Sequence, residues 1–346
     1  MEKLVHQLAD MCSLRDRYAL DDAMVRLVYL TGTDKVAAVR MLRLVGDADD
    51  LRCLTRAEFD GTTTGARRVA AWKDWRDLPQ LSSYSHRLGV RERNTTVTVQ
   101  STPCITAVPV GEVLPVVSLL EIESAMPLPP ELVRILEGIA RIYANYESLL
   151  DYGEKDALTE LLNRKSFDGA FFKAATEMAT PDDLGHSERR TVPQQEGYWL
   201  AVLDIDFFKR VNDNFGHLIG DEVLLLMARL MRNGFRLHDQ LYRFGGEEFV
   251  ILMQCGRPQD ALGALERFRR MVEEFVFPQV GNITVSVGFA ALRHPHDTPG
   301  AAFGRADKAV YHAKGHGRNQ VCSYEHLVAA GELVEEADNA SDVDLF

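Results

Sequence analysis

A glycine pair at positions 245 and 246 sits between two runs of strand-forming residues, and it constrains the fold more than any other feature of this chain. Leu241-Tyr242-Arg243-Phe244 comes before it and Phe249-Val250-Ile251-Leu252-Met253 after it. Aromatic and branched apolar residues of this kind suit a pleated, half-buried surface. Glycine takes positive φ freely, so the pattern predicts an antiparallel β-hairpin turning at the glycines. Two carboxylates, Glu247 and Glu248, follow the turn at once. Adjacent acids at a hairpin tip repel each other, and the missing glycine side chains leave room for a bulky ligand. A divalent cation is the usual reason for such a pair.

A second strand supplies more acid. Tyr198-Trp199-Leu200-Ala201-Val202-Leu203 is apolar and reads as buried, and it ends in Asp204-Ile205-Asp206. An acid at the end of a buried strand, facing an acid pair on a neighbouring hairpin, suits Mg²⁺ and nucleotide phosphates. Taken singly, a Glu-Glu pair is more often a solvated face and an Asp-x-Asp a strand-end turn. Further pieces follow in order: Phe207-Phe208-Lys209, Asn212-Asp213, Phe215-Gly216-His217 and Gly220-Asp221. A helix starting near Asp221 carries Val223, Leu224, Leu226, Met227 and Leu230. Ala306 to Lys314 reads as helical and closes with Gly315-His316-Gly317-Arg318-Asn319.

In this order the motifs resemble the GGDEF family of diguanylate cyclases, which join two GTP into cyclic di-GMP and release pyrophosphate. The matching text also includes Asp156-Ala157-Leu158-Thr159-Glu160-Leu161-Leu162-Asn163-Arg164. It runs over about residues 155–325, with Glu where the family name has Asp. The resemblance implies an α/β (α+β) fold: a palm-like, ferredoxin-related nucleotidyl cyclase domain. It implies that Asp204, the carbonyl of Ile205 and Glu247 hold Mg²⁺, with Mn²⁺ as the alternative ion. Glu248 is then either a further ligand or an aid to deprotonating the ribose 3′-hydroxyl. The backbone at Phe207 and Phe208, with Lys209, resembles the turn that cradles the phosphates.

Lys314 and Arg318, in the family the clamp on the outer phosphates, lie four apart, which on one helix turn points them the same way. A basic pair near a helix C-terminus also has an ordinary reading in the helix dipole. Asn212 and Asp221 match the guanine-reading positions. A carboxylate accepts from guanine N1–H and N2–H₂, and adenine would leave it unpaired, so Asp221 favours GTP over ATP. The competing reading makes Asp221 the cap of the following helix. Arg236-Leu237-His238-Asp239 matches the family's inhibitory site for cyclic di-GMP, with Arg267 as an added contact.

A single domain takes roughly 100–200 residues, so 346 residues suggest two. The net charge of −12 speaks against nucleic acid as a partner. The most apolar stretch, Ile105 to Ile122, is broken by Gly111, Glu112 and two prolines and reads as two strands rather than a membrane span. Glu2, Lys3 and His6 interrupt any signal peptide, and the five cysteines lack paired spacing. A cytoplasmic location is expected.

Residues 1–125 read as a GAF-like α+β sensor for an unidentified small molecule, with a PAS domain as the near alternative. Residues 2–30 carry helical patterns. Lys35 to Val45 reads as a helix because Val36, Val39 and Leu42 recur every three residues, with Asp34 and Gly46 as its ends. Thr95 to Gln100 and Ile105 to Val110 are expected to pair, with a further strand at Leu114 to Ile122. Trp72 and Trp75 read as packing residues. Residues 126–155 form a helical linker after Pro127-Leu128-Pro129-Pro130. There Leu132, Leu136, Ile139, Tyr143, Tyr146 and Leu150 follow coiled-coil spacing, which a helix packed on its own domain would share; the position between two domains favours the coiled coil. Residues 156–327 are the cyclase domain, interrupted by a polar insert at about 178–197, and 328–346 an acidic tail. The expected function is a Mg²⁺-dependent homodimeric diguanylate cyclase under sensor control and product inhibition. The alternative is a catalytically inactive module that binds GTP or cyclic di-GMP.

Overall fold

The structure, a computed structural model, describes residues 2–46, 50–62, 77–111, 117–178, 197–236, 238–293 and 297–335. The chain divides into two compact units, Met1–Asp151 and Tyr152–Phe346.

In the first unit, the apolar spacing of residues 2–30 yields two helices, α1 (Glu2–Met11) and α2 (Arg17–Gly32). Residues 36–45 are not the expected helix. They are β1 (Val36–Val45), which pairs antiparallel on one side with β2 (Arg52–Phe59) and on the other with β5 (Ser118–Ser124). The misleading period has a physical origin. Pairing with β5 slips between Val36 and Ala38, and pairing with β2 slips between Met41 and Leu42. An extra residue at such a slip shifts the side chains that follow to the other face. Val36, Val39 and Met41 join one core, and Leu42 and Leu44 join the core on the other face. With both faces covered, strict alternation disappears.

The expected hairpin forms from β3 (Val97–Val99) and β4 (Cys104–Pro109), and the sheet order is β2-β1-β5-β4-β3. Helix α3 (Ser85–Arg93) contributes Val90 to the smaller core with Leu42, Leu44, Ala107 and Leu119. This is the α+β content expected of residues 1–125.

Helix α4 (Pro130–Glu154) corrects a second expectation. Leu136, Ile139, Tyr143 and Leu150, assigned above to a coiled-coil seam, are buried with Met24, Val28, Val39 and Ile122 in the core of the first unit. The same spacing serves either partner, because both demand one apolar stripe per helix. Polar contacts reinforce the docking. Tyr143 Oη donates to Asp21, and Arg56 meets Asp21 at 2.7 Å and Glu147 at 2.9 Å.

The second unit is built on a six-stranded sheet of order β13-β12-β7-β9-β8-β6. At its centre β7 (Gly197–Ile205) pairs antiparallel with β12 (Val285–Ala291) and β9 (Glu248–Cys255). Strand β8 (Gln240–Gly245) forms the expected hairpin with β9. Short β6 (Leu162–Asn163) and β13 (Val321–Ser323) are parallel edges. Trp199, Ala201, Leu203 and Ile205 face the helices α6 (Phe208–Phe215), α7 (His217–Gly234) and α8 (Pro258–Glu274). Leu200 and Val202 face α5 (Arg164–Met178), α9 (Pro299–Gly315) and α10 (Tyr324–Ala329). A small ribbon of β10 (Val276–Phe277) and β11 (Gly281–Asn282) completes the unit.

One glycine decides how closely α9 approaches. A Cβ on Gly288 would lie 2.2 Å from the carbonyl oxygen of Ala306. Only the bare backbone lets the helix seat on β12.

Trp72, Trp75 and residues 179–196 of the insert lie outside the described residues. The beginning of the acidic tail does not stand free: Glu332 meets His312 at 2.8 Å and Glu335 meets Arg293 at 3.0 Å. Among the described residues no helix is long and apolar enough to cross a membrane.

Candidate active site

The hairpin tip is a tight turn. Gly245 pairs with Glu248, and Gly246 takes φ 52°, in the left-handed region that glycine occupies without strain. Arg243 braces it by donating to the carbonyl of Gly246 at 3.1 and 2.9 Å and to Asp156 at 3.0 Å. Asp156 also accepts from the amide and the hydroxyl of Thr159, at 2.8 and 2.7 Å. Sequence reasoning assigned Arg243 only to a strand. Its signal was a lone cation in an apolar run, two residues before the glycines.

The register then sets the acids against each other. Asp204, near the end of β7, pairs directly with Glu248 at the start of β9. Residues directly opposite across two strands share a face, and like charges there are unfavourable. Even-numbered residues of β7 face α9, so Asp204 points toward that helix, and Lys314 Nζ meets it at 2.7 Å. Burial raises the pKa of Asp204; Lys314 opposes this, while Asp206 and Asp307 add to it. Burial, then the charge of Asp204, raises Glu247. Burial, then Asp204 and Asp307, raises Glu248. The site holds more negative charge than its lysine offsets.

Asp307 is a residue sequence reasoning missed. Burial raises its carboxyl and Lys314 opposes the rise. It stands seven residues before Lys314 on α9, so both lie on one helix face. That spacing was the available signal.

The turn after Asp206 continues the site. Phe207, at φ 59°, is the N-cap of α6 and makes no side-chain capping bond. The first-turn amides of such a helix are left for another acceptor, and the helix dipole favours an anion. Lys209 is exposed in that turn. A cleft of about 180 Å³ borders it, lined by Asp206, Phe207, Arg210, Asn282 and Thr284 among others. Arg318 does not share a helix turn with Lys314. Helix α9 ends at Gly315, and Arg318 follows in the left-handed region at φ 64°. It still reaches the site, with Nε 4.0 Å from Asp206.

Helix α7 begins at His217 with Gly216 as its N-cap, so Asp221 lies in the second turn and caps nothing. The alternative structural role for Asp221 therefore falls away. Asn212 on α6 tucks against α7 at Gly220, where a Cβ would lie 2.0 Å from Asn212 Oδ1. This brings Asn212 beside the backbone that carries Asp221.

The expected inhibitory residues also gather. The amide of Arg236 donates to Asp239 Oδ2 at 2.8 Å. Burial pushes the Asp239 carboxyl up to about 6, against the pull of Arg236 and Arg267. Leu237 lies outside the described residues.

The donors suit a hard cation. Two carboxylates and a carbonyl, from Asp204, Glu247 and Ile205, would offer such an ion oxygen donors short of positive charge. Among the described residues no three acidic, His or Cys side chains already form a metal-sized cluster. Mg²⁺ does not require one, since it commonly takes one or two carboxylates and completes its shell with water and substrate phosphates.

Residues 154–320 match the family model for "Diguanylate cyclase, GGDEF domain". This part of the chain is a GGDEF domain. The response regulator PleD of Caulobacter vibrioides is 37% identical over 182 residues, covering 51% of this chain and 37% of that protein. Diguanylate cyclase A of Treponema denticola is 32% identical over 193 residues, covering 54% of this chain and 49% of that protein. The chain thus spans less than half the length of either. The solved GGDEF domain of DgcB from Caulobacter crescentus, in complex with cyclic di-GMP, is 34% identical. The match covers 50% of this chain and 96% of that one, with a TM-score of 0.43.

Proposed function

We propose that the second unit is a diguanylate cyclase that condenses two GTP into cyclic di-GMP and two pyrophosphates. The observation that carries this reading is the facing of Asp204 and Glu248 across neighbouring strands, with Glu247 at the adjoining turn and Lys314 as the cation among them. Asp204, the carbonyl of Ile205 and Glu247 would hold Mg²⁺. Bound there, the ion supplies neutralisation of phosphate charge and a lower pKa for a nearby hydroxyl.

The remaining work falls to the chain. The ribose 3′-hydroxyl of one GTP attacks the α-phosphorus of the other and pyrophosphate leaves; repeating the step in the opposite sense closes the ring. Glu248 would take the hydroxyl proton or join the ligand set. The amides at Phe207 and Phe208, with Lys209, Lys314 and Arg318, hold the triphosphate. Such transfers depend mainly on positioning and charge stabilisation. Asp221 and Asn212 read guanine. Asp221 is free of a capping role, which favours recognition of a ligand.

Two opposed half-sites require two copies, so the working form is a homodimer. With the inner stripe of α4 buried in its own unit, Ile135, Ile142, Leu149 and Tyr152 remain exposed on the outer face. The first three recur every seven residues, the spacing a second helix matches. The first unit acts as a GAF-like sensor, and Arg236, Asp239 and Arg267 bind product at an inhibitory site. The protein works in the cytoplasm.

Incubating the chain with GTP and Mg²⁺ and detecting cyclic di-GMP tests the reading. GTP binding without product would instead support the inactive binding module, and turnover of ATP would overturn the guanine assignment.

A further inference from the structure

We infer that Asp206 and Phe207 form a socket that holds Arg318 in place, making both of them positioning residues for the phosphate chain. The inference rests on the reading that Arg318 contacts the phosphates.

Asp206 is 5% exposed, and both of its oxygens are engaged. Oδ1 accepts from Ser286 Oγ at 2.7 Å. Oδ2 accepts from Thr284 Oγ1 at 2.7 Å and from the amide of Asn319 at 3.1 Å. Its own amide donates to the carbonyl of Thr284 at 2.9 Å. Asp206 thereby ties the turn after β7 to the edge of β12 and to the residue directly following Arg318. The Arg318 Nε lies 4.0 Å from Oδ1.

Phe207 supplies the other wall. The Arg318 guanidinium lies 4.4 Å from the centre of its ring, and that of Arg210 lies 4.5 Å from it. A cation over an aromatic face is attracted by the ring's electron distribution. Phe207, Arg318 and Asn319 all have positive φ, at 59°, 64° and 46°. Non-glycine residues keep that conformation only where surrounding contacts enforce it. The Arg318 amide donates to the carbonyl of Ala313 at 2.9 Å, and the Asn319 amide to Asp206, so the backbone that carries the guanidinium is fixed on both sides.

The chemical consequence is pre-organisation. An arginine on an open turn samples many rotamers and loses them when it grips an anion. A carboxylate on one side and a ring on the other remove part of that cost beforehand. The benefit belongs to binding of the triphosphate and not to the bond-making step.

Steady-state kinetics of the full chain with GTP and Mg²⁺ test this. Phe207→Leu keeps bulk and loses the aromatic face. It should raise KM for GTP about three- to ten-fold, with kcat within about two-fold of the parent. Inhibition by pyrophosphate should weaken in parallel, and Phe207→Tyr should restore both. In an Arg318→Ala background, Phe207→Leu should add nothing further. Asp206→Asn should raise KM in the same manner. If that variant fails to fold, the Phe207 series still decides the matter. If Arg318→Ala leaves KM unchanged, the phosphate role of Arg318 fails. If Arg318→Ala raises KM while Phe207→Leu does nothing, or costs the same with and without Arg318, only the socket fails.

Discussion

Glu121 in the first unit and Asp204 in the second are both buried acids on central strands, and their surroundings differ. Glu121 on β5 has Arg87 at 2.7 Å, His86 at 2.8 Å and Arg40 at 3.3 Å. Burial alone would raise its pKa, but hydrogen bonds from His86 and Arg87 and the nearby arginine charge hold it at about 2. Asp204 has Lys314, but it also has Asp206, Asp307, Glu247 and Glu248 as charged neighbours, and it is pushed up. The first arrangement is closed: each charge has its partner. The second lacks positive charge, a condition that binding a cation would relieve. Shifted carboxylates of the second kind mark sites, while satisfied clusters of the first kind mark architecture.

The sharpest way to break that contrast is Glu247→Gln. It should lower cyclic di-GMP formation on the order of a thousand-fold, because it removes both a cation ligand and transition-state charge stabilisation. Its melting temperature should hold or rise, since repulsion is relieved. Product chromatography beside a thermal melt measures both, and parent-like turnover would remove Glu247 from the chemistry.

Glu121→Gln should behave in the opposite sense. Leaving Arg87 without its buried charged partner should cost about 3–5 kcal/mol of stability in the first unit, read from denaturant unfolding, while Arg40 keeps Glu58 and Glu123. An equal loss from Glu247→Gln would erase the difference between the units.

Asp221→Ala sharpens the comparison at the proposed guanine position. Losing an acceptor for two guanine donors should narrow the preference for GTP over ATP about ten- to a hundred-fold, equivalent to roughly 1–3 kcal/mol. Competition binding of the two nucleotides measures it.

The smallest effect concerns pH. The Asp239 carboxyl lies above its ordinary value, at about 6, so the folded chain holds this proton more tightly than the unfolded chain. Its share of stability is therefore greatest in acid and declines as pH rises from about 4 to about 6. Recognition of guanine needs the ionised acceptor. Inhibition by cyclic di-GMP should accordingly weaken roughly four-fold between pH 7.5 and 5.5, where only about a quarter of the group is ionised. A pH-independent inhibition constant would exclude Asp239 as the guanine acceptor.

The elements readable in advance were those whose signal is local. The hairpin at Gly245-Gly246 follows from the φ that glycine permits, and β7 from a run too apolar to lie anywhere but inside. The β3–β4 pairing was readable for a similar reason. Strand β1 was not, because its three-residue recurrence arises from slips against two neighbours. Nor was the partner of α4, since one apolar stripe fits either a second helix or the helix's own domain. Arg243 and Asp307 were missed because each acts through residues far away in sequence.

The amino-acid order alone determined which groups this chain brings to the site: it placed carboxylates behind a turn only glycine makes comfortably, and acids at the end of a strand that must be buried. Tertiary structure decided which charges meet. Cross-strand register set Asp204 against Glu248, and the missing side chain of Gly288 let α9 settle close enough for Lys314 to reach Asp204. Those outcomes depend on distances between segments dozens of residues apart. Local propensity carries no information about such distances; packing does.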